Sequence, residues 1–166
     1  MSKHEVRPAQ ITDVPAIHSL ILELATYERA ADQMILTVEQ LAKDGFGENP
    51  LYRCLVAESE QQIVGIALYY YRYSTWKGKC IYLEDIVVRN AFRGKGIGKT
   101  LLDATVEICL QEKVNMLTWQ VLDWNEPAIH FYEKFEANFD NEWINCKLTK
   151  SQMQAWKFGK LGTSGK

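Results

Sequence analysis

The segment Arg93-Gly94-Lys95-Gly96-Ile97-Gly98-Lys99-Thr100 sits between a strand-like run, Cys80 to Arg89, and a helical pattern carrying Leu101, Leu102, Thr105, Ile108 and Cys109 on one face. At such a junction the N–H groups of the first helical turn have no intrahelical acceptor and can converge on one anion, and glycine lets a phosphate approach the main chain. Four readings fit the letters to different degrees. A Walker A loop, G-x-x-x-x-G-K-[ST], finds its end in Gly98-Lys99-Thr100 but needs glycine where Arg93 stands. A dinucleotide fingerprint, G-x-G-x-x-G, starts at Gly94 and Gly96 and fails at Lys99. The pattern [RQ]-x-x-G-x-[GA] is matched by Arg93, Gly96 and Gly98. The fourth reading is a loop whose glycines only satisfy turn geometry.

Working outward, Thr12 can cap a helix with Pro15 in its first turn, and Val14, Ile17, Ile21 and Leu24 recur on one face as far as about Tyr27. Thr37-Val38-Glu39-Gln40 has a capping-box pattern and predicts a shorter helix stopping near Gly45. Tyr52 to Glu58 and Ile63 to Tyr73 read as a hairpin around Ser59-Glu60-Gln61-Gln62, with Cys80 to Arg89 as a third strand. Downstream of the loop helix, Met116 to Leu122 reads as a strand. Asn125 caps a helix with Pro127 in its first turn, reaching Phe135, and Trp143 to Leu148 reads as a last strand. This order predicts an α/β (α+β) fold, a mixed, mostly antiparallel twisted sheet flanked by helices on both faces. The two incomplete phosphate motifs would thus follow an antiparallel meander instead of opening a βαβ unit.

A chain of 166 residues, 47% hydrophobic and 24% charged, predicts one globular domain over 1–156 and a flexible Gly, Ser, Thr and Lys-rich tail over 157–166. The net charge of −2 carries no footprint for a nucleic-acid backbone. Cys54, Cys80, Cys109 and Cys146 are scattered without C-x-x-C pairs or nearby histidines, so neither a metal site nor a disulfide framework is expected. The N-terminus lacks the apolar stretch of a signal peptide and no window approaches a membrane span. A reducing, cytoplasmic setting is the expectation.

The Arg93, Gly96, Gly98 pattern resembles the acetyl-CoA pyrophosphate loop of the GNAT superfamily, and the element order resembles that fold along nearly the whole chain. The resemblance implies acetyl-CoA as cofactor, with main-chain groups of Ile86, Val87 and Val88 offered to the pantetheine arm. Glu84 and Asp85 interrupt the apolar run Ile81 to Val88, and neighbours on a strand face opposite sides of the sheet. One could lie at a wet strand end while the other pairs with a cation. Alternatively, one serves the reaction: an amine with a pKa about 3 units above neutral costs about 4 to 5 kcal/mol to present its lone pair, and a carboxylate can take that proton. Tyr132 could donate to the departing thiolate or simply pack, with its hydroxyl bonded elsewhere. His130 reads as a bystander.

Within the superfamily, the chain is similar to the diamine (spermidine/spermine) N-acetyltransferases, including their thialysine branch. The similarity lies in Leu24-Ala25-Thr26-Tyr27-Glu28, Asp44-Gly45-Phe46-Gly47, Tyr82-Leu83-Glu84-Asp85, the glycine loop and Asp123-Trp124-Asn125-Glu126-Pro127. By this resemblance Glu84 is the base and Tyr132 the acid. Amine contacts fall to Tyr27, Glu28, Glu84, Asp85, Trp76, Thr118, Trp119, Gln120 and Glu142. Cofactor contacts fall to Arg93, Gly94, Lys95, Gly96, Ile97, Gly98 and Lys99, with Asn125, Glu126, Pro127 and Ala128. A homodimer acting on a small-molecule amine is implied; a protein amine as acceptor, or a silent acyl-CoA binding module, is the alternative. Two positions depart from the family pattern. Ser74 replaces an acidic residue of the polyamine-selective members, with Lys77 nearby, which weakens attraction for a long polycation. Glu136 stands where the family usually has glycine.

Overall fold

The computed structural model describes residues 4–156; the expected tail lies outside the described residues. The chain divides after Gln120 into two compact units. The first contains β1 (His4–Pro8), α1 (Val14–Tyr27), α2 (Val38–Phe46), β2 (Arg53–Ser59), β3 (Gln62–Ser74), β4 (Gly78–Val88), α3 (Ile97–Gln111) and β5 (Leu117–Thr118). The second contains α4 (Glu126–Glu133) and α5 (Lys150–Trp156).

The sheet runs in the order β1-β2-β3-β4-β5, antiparallel until the last pair, which is parallel. β1 is too short and too polar to announce itself in the sequence. It is an edge strand, tied down by Arg7, whose guanidinium bonds Asp13 at 2.8 Å and Glu58 at 2.9 Å. Asp13 also accepts from the Gln10 N–H at 2.8 Å, and the Arg7 bond holds its carboxyl below the usual range. This moves the start of α1: Thr12 lies in a one-turn 3-10 helix, Ile11–Asp13, and Asp13 takes the cap position. At α2 the Thr37 hydroxyl accepts from the Gln40 N–H at 3.2 Å, as the capping pattern predicts.

Period-two alternation then sorts the core. Val56, Ile66 and Val87 lie opposite one another in register and pack beneath Val14, Ile17 and Leu20 of α1 and Leu41 of α2. The alternate residues Leu55, Ala67 and Ile86 face the side where α3 lies. There α3 comes so close that a Cβ on Gly65 would stand 3.1 Å from Leu101 Cδ1 and 3.3 Å from Ile97 Cγ2. Helices therefore cover both faces of the sheet, as expected.

Three expected boundaries change. The Met116 to Leu122 strand shrinks to Leu117–Thr118, because its partner β4 carries a bulge just past Tyr82 that bends the edge away. The Trp143 to Leu148 segment forms no strand: its unit holds none to pair with among the described residues, and Trp143, Ile144 and Leu148 stay exposed. α4 closes at Glu133, not Phe135, and Glu136 adopts a left-handed φ of 56° with its N–H bonded to Glu133 O at 3.0 Å. That backbone suits glycine, which is the physical sense of the family's usual residue there.

Candidate active site

β4 delivers the chain to the glycine loop at a fixed height. Arg89 N–H donates to Val64 O at 2.8 Å and its side chain to Ile63 O at 3.2 Å. Glu23 of α1 accepts from the Asn90 N–H at 2.9 Å. Arg93 Nε then returns to Val88 O at 3.0 Å, and its guanidinium lies 5.4 Å from the centre of the Tyr27 ring. Gly94 and Gly96 adopt φ of 74° and 83°, conformations that cost a side chain strain. Apart from their chain neighbours, no atom of the described residues lies within 4 Å of a Cβ built on either. Thr100 N–H makes the first α3 bond back to Gly96 O at 3.0 Å. The N–H groups of Ile97, Gly98 and Lys99 thus have no acceptor within the helix, an arrangement with which a pyrophosphate is compatible. Lys95 and Lys99 add positive charge around it. Lys95 lies 4.9 Å from the Phe92 ring centre and Lys99 bonds Asp103 at 2.6 Å.

The strand leading to this cradle is open on one side. β5 pairs only with Ile81 and Tyr82 of β4, so among the described residues no strand covers the β4 edge at Ile86, Val87 and Val88.

At the start of the open edge lies the acidic pair. Leu68 pairs with Asp85 and Tyr69 with Leu83, which leaves Glu84 as the extra residue of a β-bulge. The expectation that Glu84 and Asp85 face opposite sides is thereby corrected: a bulge suspends alternation, and both carboxylates act on the Tyr82 phenol. Glu84 is exposed, and burial, then the charge of Glu84, push the nearby Tyr70 phenol up to about 12. Asp85 is partly buried, and burial, then the charges of Glu84 and Glu28, push its carboxyl up to about 6. Burial also raises Glu28, at the end of α1. Asp85 thus feels the charges of both Glu84 and Glu28, and Tyr27, the residue before Glu28, is linked to the loop by the Arg93 contact.

The cost of this cluster is measurable. The folded protein holds the Asp85 proton more tightly than the unfolded chain, whose value lies near 3.8, so the stability this group lends is complete below about pH 4 and lost as pH rises through about 6. Asp85→Asn is expected to raise the unfolding free energy by about 1 to 2 kcal/mol at pH ~8 and by little at pH ~4. Denaturant titrations at the two pH values check this; an equal change at both would contradict it.

The other expected site residues are spread more widely. Thr118 pairs with Tyr82, and Trp119 and Gln120 follow it to the end of the first unit. Trp76 is 81% exposed at the β3–β4 tip, six residues along β4 from Glu84, or about 20 Å. Ser74 Oγ there accepts from the N–H groups of Trp76 at 3.3 Å and Lys77 at 3.2 Å, so this hydroxyl organises the turn. In the second unit the Asn125 side chain accepts from the Ala128 N–H at 3.4 Å, with Glu126 and Pro127 opening α4. Tyr132 is buried on α4, its ring 5.3 Å from that of Phe131. Glu142 is exposed, its N–H bonded to Asp140 at 3.0 Å. Sequence reading missed Glu23, which bonds the loop at Asn90, and Tyr70, whose ring stacks on Tyr82 next to the bulge; the signal for Tyr70 was the run Tyr69-Tyr70-Tyr71, read as strand content. Among the described residues no cluster suited to a metal occurs and no helix is long and apolar enough to cross a membrane.

An open strand edge running into a glycine-lined helix start, with carboxylates beside it, defines an acyl-CoA dependent acetyltransferase of amines. The chain belongs to the acetyltransferase (GNAT) family, whose model matches residues 15–137. It is 45% identical over 140 residues to the thialysine N-epsilon-acetyltransferase of Bos taurus, covering 80% of this chain and 82% of that protein. Identity to the Mus musculus enzyme of the same name is 40% over 165 residues, covering 93% and 97%. In fold it is similar to an aminoglycoside N-acetyltransferase in complex with CoA, with a TM-score of 0.72 at 15% identity, covering 89% of this chain and 96% of that one. The protein is an acetyl-CoA dependent N-acetyltransferase.

Proposed function

We propose that the protein acetylates a primary amine of a small cationic molecule, with Glu84 as the base, acting through water, and Tyr132 as the acid. The observation that supports this best is the carboxylate group of Glu28, Glu84 and Asp85 at the head of the open β4 edge: burial and mutual repulsion raise Asp85 to about 6, and a bound cation would relieve that repulsion. Acetyl-CoA supplies the thioester that accepts the amine and the sulfur that leaves. Glu84 takes the ammonium proton and passes it to solvent, Tyr132 hands its own to the sulfur as the C–S bond breaks, and the second proton shed by the nitrogen as the amide forms restores the phenol; the main chain from Gly94 to Lys99, with Asn125 to Ala128, holds the cofactor's polar end. Tyr27, Glu28, Asp85, Thr118, Trp119, Gln120 and Glu142 contact the amine in this reading, whereas Trp76, about 20 Å along β4 from Glu84, lies too far to touch the same small molecule within one protomer. Residues up to 156 work as one acetyltransferase domain, in a cytoplasmic homodimer.

The identity to enzymes named for thialysine, together with Ser74 in place of an extra carboxylate and Lys77 nearby, favours an amino-acid amine over a long polyamine. A competition assay among spermidine, putrescine, lysine and thialysine tests this. Thialysine is expected to be used with the highest kcat/KM; preference for spermidine would overturn the substrate assignment while leaving the enzyme class intact.

A further inference from the structure

α1 meets the approach to the glycine loop along a row of its own residues spaced four apart, which share one side of a helix. Ser19 Oγ accepts from Arg89 at 3.5 Å. Glu23 accepts from the Asn90 N–H at 2.9 Å and from the Arg89 guanidinium at 3.4 Å. The Tyr27 ring lies 5.4 Å from the Arg93 guanidinium. Just over two turns of α1, about 12 Å of helix, are thus pinned to the stretch from Arg89 to Arg93. The middle contact is the firm one. It joins a carboxylate to a main-chain N–H, a charge-assisted bond, whereas the Arg89–Glu23 ion pair is about a third exposed on both sides and screened, and the Ser19 contact is at the limit of a hydrogen bond.

One turn beyond Glu23, α1 ends at Tyr27, with Glu28 next in the chain. We propose that Glu23 is a positioning residue that couples the two halves of the site, so that a cofactor held at the start of α3 sets Tyr27 and Glu28 for the amine; this rests on the reading of those two residues as amine contacts. Asn90 opens the one-turn 3-10 helix, Asn90–Phe92, that leads into the loop. An anion bound at the loop restrains that turn, and through Asn90 and Glu23 it restrains the end of α1. The amine then meets a site already ordered and binds more tightly, and by linkage the amine tightens the cofactor by the same factor.

Calorimetric titration of thialysine into the protein, alone and saturated with coenzyme A, reads the coupling as a ratio of two dissociation constants. The wild type is expected to bind thialysine about tenfold more tightly with coenzyme A present. Glu23→Ala is expected to bring that ratio below about twofold. Glu23→Gln keeps an oxygen for the Asn90 N–H and is expected to restore most of it. Asn90→Pro deletes the same bond from the loop side, at a position where the preceding Arg89 is already extended, with ψ of 137°, as proline requires. It is expected to match Glu23→Ala, the two together costing no more than either alone, and it decides the matter should Glu23→Ala fail to fold by circular dichroism. A ratio near unity in the wild type, or a wild-type ratio in Glu23→Ala or Asn90→Pro, overturns the proposal, even if both ligands bind more weakly to the variants, as a merely structural role would have it. Glu28→Gln separates the two readings. If it weakens thialysine binding, the amine reading survives a failure of the coupling; if it binds thialysine as the wild type does, or the wild type takes none in either state, the amine reading fails and the coupling with it.

Discussion

Glu84→Gln is expected to lower kcat by about 10² to 10⁴ at neutral pH, with the affinity for coenzyme A unchanged. The size follows from the acceptor. A primary amine with a pKa near 10 is almost wholly protonated at pH ~7, and the lone pair that attacks the thioester exists only after a proton has left. Glutamine matches the shape of glutamate, but it cannot take that proton. Solution chemistry can replace the base as pH rises, since each unit below the amine's own pKa yields about tenfold more free amine. The variant's rate is therefore expected to climb more steeply toward pH ~9 than that of the wild type. Initial rates across pH check both points. A variant within about threefold of wild type at neutral pH would show that water alone deprotonates the amine.

Tyr132→Phe is expected to cost less, about 10 to 10² in kcat. The departing group is a thiol with a pKa near 8.5, so its anion is a tolerable leaving group near neutrality and needs less help than the amine does. Because Tyr132 is buried, with its ring against Phe131, the phenylalanine keeps the packing, and the loss is assignable to the hydroxyl. Release of free thiol in single-turnover mixing measures it. Turnover near the wild-type rate would remove Tyr132 from the mechanism.

How far the sequence foretold this molecule depended on whether a feature is local. The loop was legible because left-handed backbone at Gly94 and Gly96, and a helix beginning at Ile97, are written in adjacent letters. The same holds for the Thr37 cap and for the turn at Glu60 and Gln61, both with positive φ. Features set by pairing were not legible. β1 is a strand only because β2 offers it an edge. The bulge at Glu84 is a property of register between β3 and β4, which neither strand records alone. The reverse error occurred at Trp143 to Leu148, where strand-like residues found no partner in their own unit among the described residues. At the site, residue types pointed to Glu84 and Tyr132 through resemblance, whereas the bond of Glu23 to the loop came into view only with coordinates.

The central claim is that this chain moves an acetyl group from acetyl-CoA to a small amine. Incubating the protein with acetyl-CoA and thialysine, while counting free thiol and acetylated amine together, tests it most directly. The account predicts both products, in equal amounts and at a rate set by enzyme concentration; tight coenzyme A binding with no acetylation across thialysine, lysine, putrescine and spermidine would contradict it and leave an acyl-CoA binding module in its place.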